Sequence, residues 1–250
     1  MMKTVSTFIF VHDQSIILDF IKCQKFKQLD NVKYVFVGGK DTSMIESNPD
    51  VIICNKLPFN LEQYPKLTSY TGWYAIWKNG LYDSSDYLNL LEYDVNLTDN
   101  FDKIVKESLN FDVIGYIPFN VHNNNFAKHK PWSEDLITSI HKNYNINVHE
   151  FIHTLPFNKE CSVTSNHTFS KKSFEDYMKW VDPLIDDIKH SELSGHQVER
   201  SISLFYLINK LNYNVIDNIL THFQFDSHRT QNISQDKFKN KYNKLINNQI

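Results

Sequence analysis

Residues 5–39 read VSTFIFVHDQSIILDFIKCQKFKQLDNVKYVFVGG, and this stretch decides the fold class. Val5–His12 is a compact run of β-favouring apolar residues. Asp13 and Ser15 then open a helical pattern that lines up Ile17, Phe20, Ile21 and Phe26. Asp30 and Asn31 make a turn, and Lys33–Val37 is a second buried strand that stops at Gly38 and Gly39. Strand, helix and strand in immediate succession mark a parallel βαβ unit.

The same alternation continues outward. Val51–Cys54 is a third short strand. Leu67, Tyr70, Tyr74 and Trp77 recur at helical spacing in the second half of the segment 60–80. Tyr87–Val95 is a fourth strand, Phe101–Leu109 a short helix and Val113–Ile117 a fifth strand. Beyond residue 118 the regularity loosens. His122–Lys130 is polar loop, Glu134–Asn143 a helix, and Ser173–Trp180 and the stretch after Pro183 are two amphipathic helices. Glu199–Leu211 is an apolar helix, Tyr213–Ile219 and Leu220–Phe225 are short extended pieces, and the Lys- and Asn-rich tail 236–250 frays. The expected fold is α/β, a mixed, mostly parallel sheet flanked by helices, in one domain over residues 1–250. Residues 1–118 form its regular front and 119–250 its irregular back.

Composition narrows the class. The 250 residues are 41% hydrophobic, 14% aromatic and 22% charged, an ordinary globular balance that excludes whole-chain disorder. The net charge of −3 argues against a dedicated nucleic-acid binder. Cys23, Cys54 and Cys161 stand far apart without CxxC spacing, which speaks against a zinc cluster or a disulfide framework. No apolar stretch approaches the roughly 18 residues of a membrane span. The thiols and the lack of a signal-like start point to a cytoplasmic protein. No G-x-G-x-x-G or P-loop is present, which argues against dinucleotide oxidoreductases and ATPases.

The residues that bear on chemistry begin with Glu92-Tyr93-Asp94, which close the fourth strand. Ligands of open α/β sheets bind beyond the carboxyl ends of strands. Residues two apart on a strand share a face, so Glu92 and Asp94 are expected to point into one cleft. Two carboxylates there call for a cation, and a hard ion such as Mg²⁺ or Mn²⁺ suits oxygen donors and a substrate phosphate. On the triplet alone a solvated acidic strand end is the commoner reading, because acid-x-acid triplets are frequent. His12 and Asp13 stand where the first strand meets its helix, a natural anion contact. Gly38 and Gly39 allow close backbone approach, or simply turn the chain.

The pieces FVH (10–12), VGG (37–39), NLEQYP (60–65), TGWYAIWKN (71–79), LLEYDV (90–95), TSN (164–166) and GHQVERS (195–201) occur in an order and spacing that resembles GT-A glycosyltransferases. The resemblance is to a group of bacterial and large-DNA-virus sugar transferases, and it covers most of the chain. It implies a GT-A, Rossmann-like fold whose strand ends in the DxD metal motif, with Glu92 standing where the family has its first Asp. It further implies metal-dependent transfer of a sugar, of hexosyltransferase type, from a nucleoside-diphosphate sugar to a glycan or other hydroxyl acceptor. The location would be cytoplasmic, in the host cell if the chain is viral.

By that resemblance, His12, Gly38, Gly39, Lys78 and Glu92 would hold the nucleotide. Asp94 and the late His222 would bind Mn²⁺ or Mg²⁺, with His228 as the alternative to His222. Asn166, His196 and Arg200 would meet the donor sugar and acceptor. Glu199 would be the general base, in the place of the family's xED acid. Without the resemblance, Glu199 is an acid complementing the first turn of its helix, and Thr164–Asn166 cap the helix starting at Lys171. Trp132 and Trp180 are expected to be exposed for sugar stacking. The rival expectations are a nucleotidyltransferase acting on sugar phosphates, a metal-dependent phosphohydrolase, and a glycan-binding module of the same fold.

Overall fold

The computed structural model describes residues 3–38, 41–122 and 132–222. Gly39, His228, most of the loop 122–130 and the tail 236–250 lie outside the described residues. The strands are β1 (Val5–Val11), β2 (Val32–Phe36), β3 (Val51–Ile53), β4 (Tyr87–Glu92), β5 (Val95–Leu97), β6 (Val113–Tyr116), β7 (Pro118–Asn120), β8 (Glu160–Ser162), β9 (His167–Ser170), β10 (Tyr213–Ile216) and β11 (Leu220–His222). The helices are α1 (Gln14–Cys23), α2 (Ser69–Lys78), α3 (Phe101–Glu107), α4 (Glu134–Tyr144), α5 (Val148–His153), α6 (Lys171–Ile188) and α7 (Ser194–Ile208).

The central sheet has seven strands in the order β10-β6-β9-β4-β1-β2-β3. Its neighbours run parallel except β9, which is antiparallel to both β4 and β6. This is the mixed, mostly parallel sheet expected. Alternation along β1 explains the layers. Phe8 and Phe10 join a core with α2, α4, α6 and α7, whereas Ile9 and Val11 join a second core with α1 and α3. Asn89 interrupts the apolar run of β4 for a reason that only pairing reveals. Its Nδ2 donates to Thr7 Oγ1 at 3.2 Å, and its Oδ1 accepts from Thr168 Oγ1 at 2.5 Å. Tyr116 OH extends the row, 2.6 Å from Thr168 Oγ1, so one polar chain crosses β1, β4, β9 and β6.

Asp13 caps α1 as expected, with its Oδ1 accepting from the Ser15 N–H at 2.8 Å. Four other expectations are corrected. The fourth strand stops at Glu92: the Tyr93 N–H still bonds the Phe10 carbonyl, then the chain turns and β5 pairs with β11 in a separate ribbon. The two helices about Pro183 are one, α6, because the apolar face from Phe174 through Tyr177, Val181 and Leu184 to Ile188 continues across the proline. Burial of that face offsets the lost hydrogen bond. The final long helix, α7, begins at Ser194, before Gly195. Thr164–Asn166 do not cap α6, since β9 intervenes and Ser170 is the cap. Helix α5 and strand β7 had no counterpart in the sequence reading, whereas β8 is the strand-like piece around Cys161 that precedes Thr164. Among the described residues no helix is long and apolar enough to cross a membrane.

Candidate active site

The strand order places a topological switch between β1 and β4. From β1 the chain winds outward through β2 and β3, then returns to the other side of β1 as β4. Ligand crevices of open α/β sheets form at such a point, beyond the carboxyl ends of the two strands. Here those ends carry His12 and Glu92-Tyr93. The His12 and Tyr93 rings meet edge-to-face, 4.9 Å apart at 80°. Just beyond β2, Gly38 takes φ +105°, and among the described residues no atom lies within 4 Å of where its Cβ would be. Its N–H donates to Glu62 Oε2 at 2.6 Å. This glycine therefore opens space at the crevice while Glu62 fixes its backbone.

Glu92 is the hub of the corner. Its Oε1 accepts from Ser69 Oγ at 3.1 Å, at the start of α2. Its N–H donates to Asn166 Oδ1 at 2.7 Å, which ties the end of β4 to the loop before β9. Asn166 is wholly buried, and its Nδ2 finds no partner among the described residues. Glu199, in the second turn of α7, faces the same corner. Burial raises its pKa, the nearby Glu92 charge adds to the rise, and the His196 hydrogen bond and Arg200 oppose it. Glu199 Oε2 lies 3.3 Å from His196 Nδ1, and only 22% of its side chain is exposed. A buried acid whose pKa is raised, with a second acid beside it, is the kind of group that serves proton transfer at a functional site.

The chain turns directly after Glu92, so Asp94 stands in the turn between β4 and β5 and not on the strand. Asp94 is 4% exposed, and its charge is felt by Lys25. Burial lowers Lys25 to about 8, with Asp94 opposing the shift. Lys25 Nζ also donates to the Tyr93 carbonyl at 3.4 Å. On the β5–β11 ribbon the backbone of His222 is paired with Val95, the residue after Asp94. The backbone of His222 is thus brought opposite the residue that follows Asp94, although the two are remote in sequence. Among the described residues no three His, Cys, Asp or Glu side chains gather as a metal cage. The Asp94 carboxylate is an oxygen donor of the kind a hard cation takes, and a cation shared with a diphosphate needs few protein donors.

The remaining expected residues divide. His196 and Arg200 join Glu199, and the Arg200 carbonyl accepts from Trp132 Nε1 at 3.1 Å. Lys78 is not brought to the corner. It ends α2, about 14 Å along the helix axis from Ser69. There it lies 3.4 Å from Asp182 and 3.7 Å over the Trp77 ring. Trp132 and Trp180 are buried, a correction to their expected exposure. Trp180 stacks on Tyr144 in the α4–α6 packing, with ring centroids 5.4 Å apart. Sequence reading missed Ser69 and Glu62. A serine opening a helix carries no mark of its partner, and Glu62 lay unremarked inside NLEQYP.

No protein-family model matches the chain, and no curated protein matches it by sequence. Solved structures do. The chain is similar to the bifunctional glycosyltransferase WbbM in its apo form, with TM-score 0.59 and 17% identity over 88% of this chain and 45% of that one. It thus spans less than half of WbbM. Glucosyl-3-phosphoglycerate synthase from Mycobacterium tuberculosis, solved with Mn²⁺, UDP and glucosyl-3-phosphoglycerate, aligns with TM-score 0.44 and 10% identity over 98% of this chain and 77% of that one. The strand order, the lone antiparallel β9 and the likeness to WbbM agree: the chain has a GT-A glycosyltransferase fold.

Proposed function

We propose that this protein is a glycosyltransferase that moves a sugar from a nucleoside-diphosphate sugar to a hydroxyl of a glycan or similar acceptor in the cytoplasm. The observation that carries the reading is the approach of Glu199 to Glu92 at the carboxyl end of β4, beside the β1–β4 switch. The front, residues 1–118, would take the nucleotide, with His12 and Gly38 framing it. The back, 119–250, would take the acceptor. Asp94 and His222 would hold Mn²⁺ or Mg²⁺ together with the diphosphate. The bound ion would supply positive charge that offsets the leaving diphosphate.

Glu199 is the general base. It accepts the proton of the acceptor hydroxyl as that oxygen bonds to the anomeric carbon and the bond from that carbon to the diphosphate oxygen breaks. Its raised pKa makes it a stronger base than an ordinary carboxylate, and His196 holds it in place through the Nδ1 contact. Glu92, anchored by Ser69 and by the Asn166 bond to its N–H, supplies the fixed neighbouring charge. A base acting directly on the acceptor implies inversion at the anomeric carbon.

A panel of nucleotide sugars assayed for binding and transfer, with and without divalent cation, tests the reading. One donor should raise the Tm and be consumed in the presence of an acceptor. Pyrophosphate release from a sugar phosphate and a nucleoside triphosphate would assign the site to nucleotidyl transfer instead. A product that retains the anomeric configuration would remove Glu199 from its role.

A further inference from the structure

We propose that Thr68 and Gly195 form a positioning contact that sets the separation of the Glu92 and Glu199 carboxylates. The inference rests on the reading of Glu199 as base. Thr68 precedes α2 with φ +51° and ψ −125°, and its side chain makes no capping bond. A β-branched residue at positive φ is a strained outlier, a kind of strain that clusters at functional sites. A glycine would hold this backbone without cost, so the threonine is not explained by the turn. Its side chain is what α7 rests on. A Cβ at Gly195 would lie 2.7 Å from Thr68 Oγ1, 3.0 Å from Thr68 Cγ2 and 2.8 Å from the Lys66 carbonyl oxygen. Only a glycine lets α7 approach this closely.

The two ends of the contact lead directly to the two acids. Ser69, the residue after Thr68, donates to Glu92. Glu199 lies four residues beyond Gly195, on the same face of α7. An ion pair between Lys66 and Glu192 closes the segment before α2 against the segment before α7. A displacement of α7 at Gly195 therefore carries Glu199 away from Glu92, while the Ser69 anchor stays. The charged groups facing Glu199 are Glu92 from β4 and His196 and Arg200 from its own helix. Burial is the larger cause of the raised Glu199 pKa and the Glu92 charge a smaller one, so a displacement of α7 at Gly195 moves the titration through both.

The test uses the full chain with Gly195→Ala and Thr68→Gly. Carbon-13 NMR of glutamate carboxyls follows the Glu199 titration, with Glu199→Gln giving the assignment. Gly195→Ala is expected to bring the titration down toward the ordinary glutamate range and to lower kcat at least 10-fold with donor KM within 2-fold. Thr68→Gly is expected to keep Tm at or above wild type, yet to shift the titration and lower kcat. A Glu199 titration unmoved in both variants overturns the positioning contact, as does a loss of kcat that merely tracks loss of folded protein. Absence of transfer by the wild-type chain would instead sink the proposed reaction, and leaves the titration result to stand by itself.

Discussion

Burial raises the pKa of Glu199 in the second turn of α7, and the carboxylate of Glu92 at the end of β4, remote in the chain, adds to the rise. An acid that is withdrawn from water and feels a second acid's charge does not ionise as freely as one in solvent. The consequences reach activity, stability and pH dependence.

Glu199→Gln is expected to lower transfer by about 10²–10⁴-fold, the usual worth of a general base. The same change should raise Tm at neutral pH. The folded-state pKa of Glu199 is raised, so its contribution to stability is present in acid and is lost as pH rises through the folded value. A neutral amide escapes that loss. The Tm advantage should therefore vanish on acidification, which scanning calorimetry across a pH series would reveal.

Asp94→Asn is expected to abolish transfer while leaving the circular dichroism spectrum of the wild type. Chelator should silence the wild-type enzyme, and Mn²⁺ or Mg²⁺ should restore it. Full activity in chelator would contradict the assignment of Asp94 and His222 to a cation shared with the diphosphate.

Asn166→Ala removes the acceptor of the Glu92 N–H. A part-buried donor left without its partner costs about 1–3 kcal/mol, and urea unfolding should report a loss of that size. Transfer should fall further than stability, because the end of β4 is no longer tied to the loop before β9.

His167 is fully buried, and burial lowers its pKa to about 3, against a smaller opposing effect of the Thr164 backbone. The unfolded chain binds a proton near 6.5 that the folded chain refuses until about 3. Stability from this group is complete above 6.5 and falls across that window, by at most about 1.4 kcal/mol per pH unit. Chemical denaturation from pH 7 to pH 4 should show the slope, and His167→Gln should flatten it. An unchanged slope in the variant would mean that other groups set the acid sensitivity.

Much of the scaffold was legible without coordinates because its signals are local. The continuous apolar run of β1, the Asp13 cap and the apolar face of α1 each involve residues within a turn or two of one another. Glu92 at the end of β4 and the GHQVERS segment were also visible, and Glu92 acts electrostatically on Glu199 of that segment. What failed was continuity. The strand reading carried through Tyr93 and Asp94, where the chain in fact turns away to pair with β11. The tryptophans read as sugar platforms are packed into the core, since a lone aromatic carries no local sign of which surface covers it.

The amino-acid sequence alone determined the βαβ front, the layered apolar pattern and the identity of the acids available for chemistry. Only the tertiary structure decided that β9 enters antiparallel between β4 and β6. It alone decided that Glu92 turns to Ser69 while Asp94 sinks toward Lys25, and that His222 arrives beside Val95. The reason is physical. Periodicity and caps are set by neighbours along the chain, whereas strand partners and the fit of Gly195 on Thr68 depend on surfaces that meet only when the whole sheet has formed.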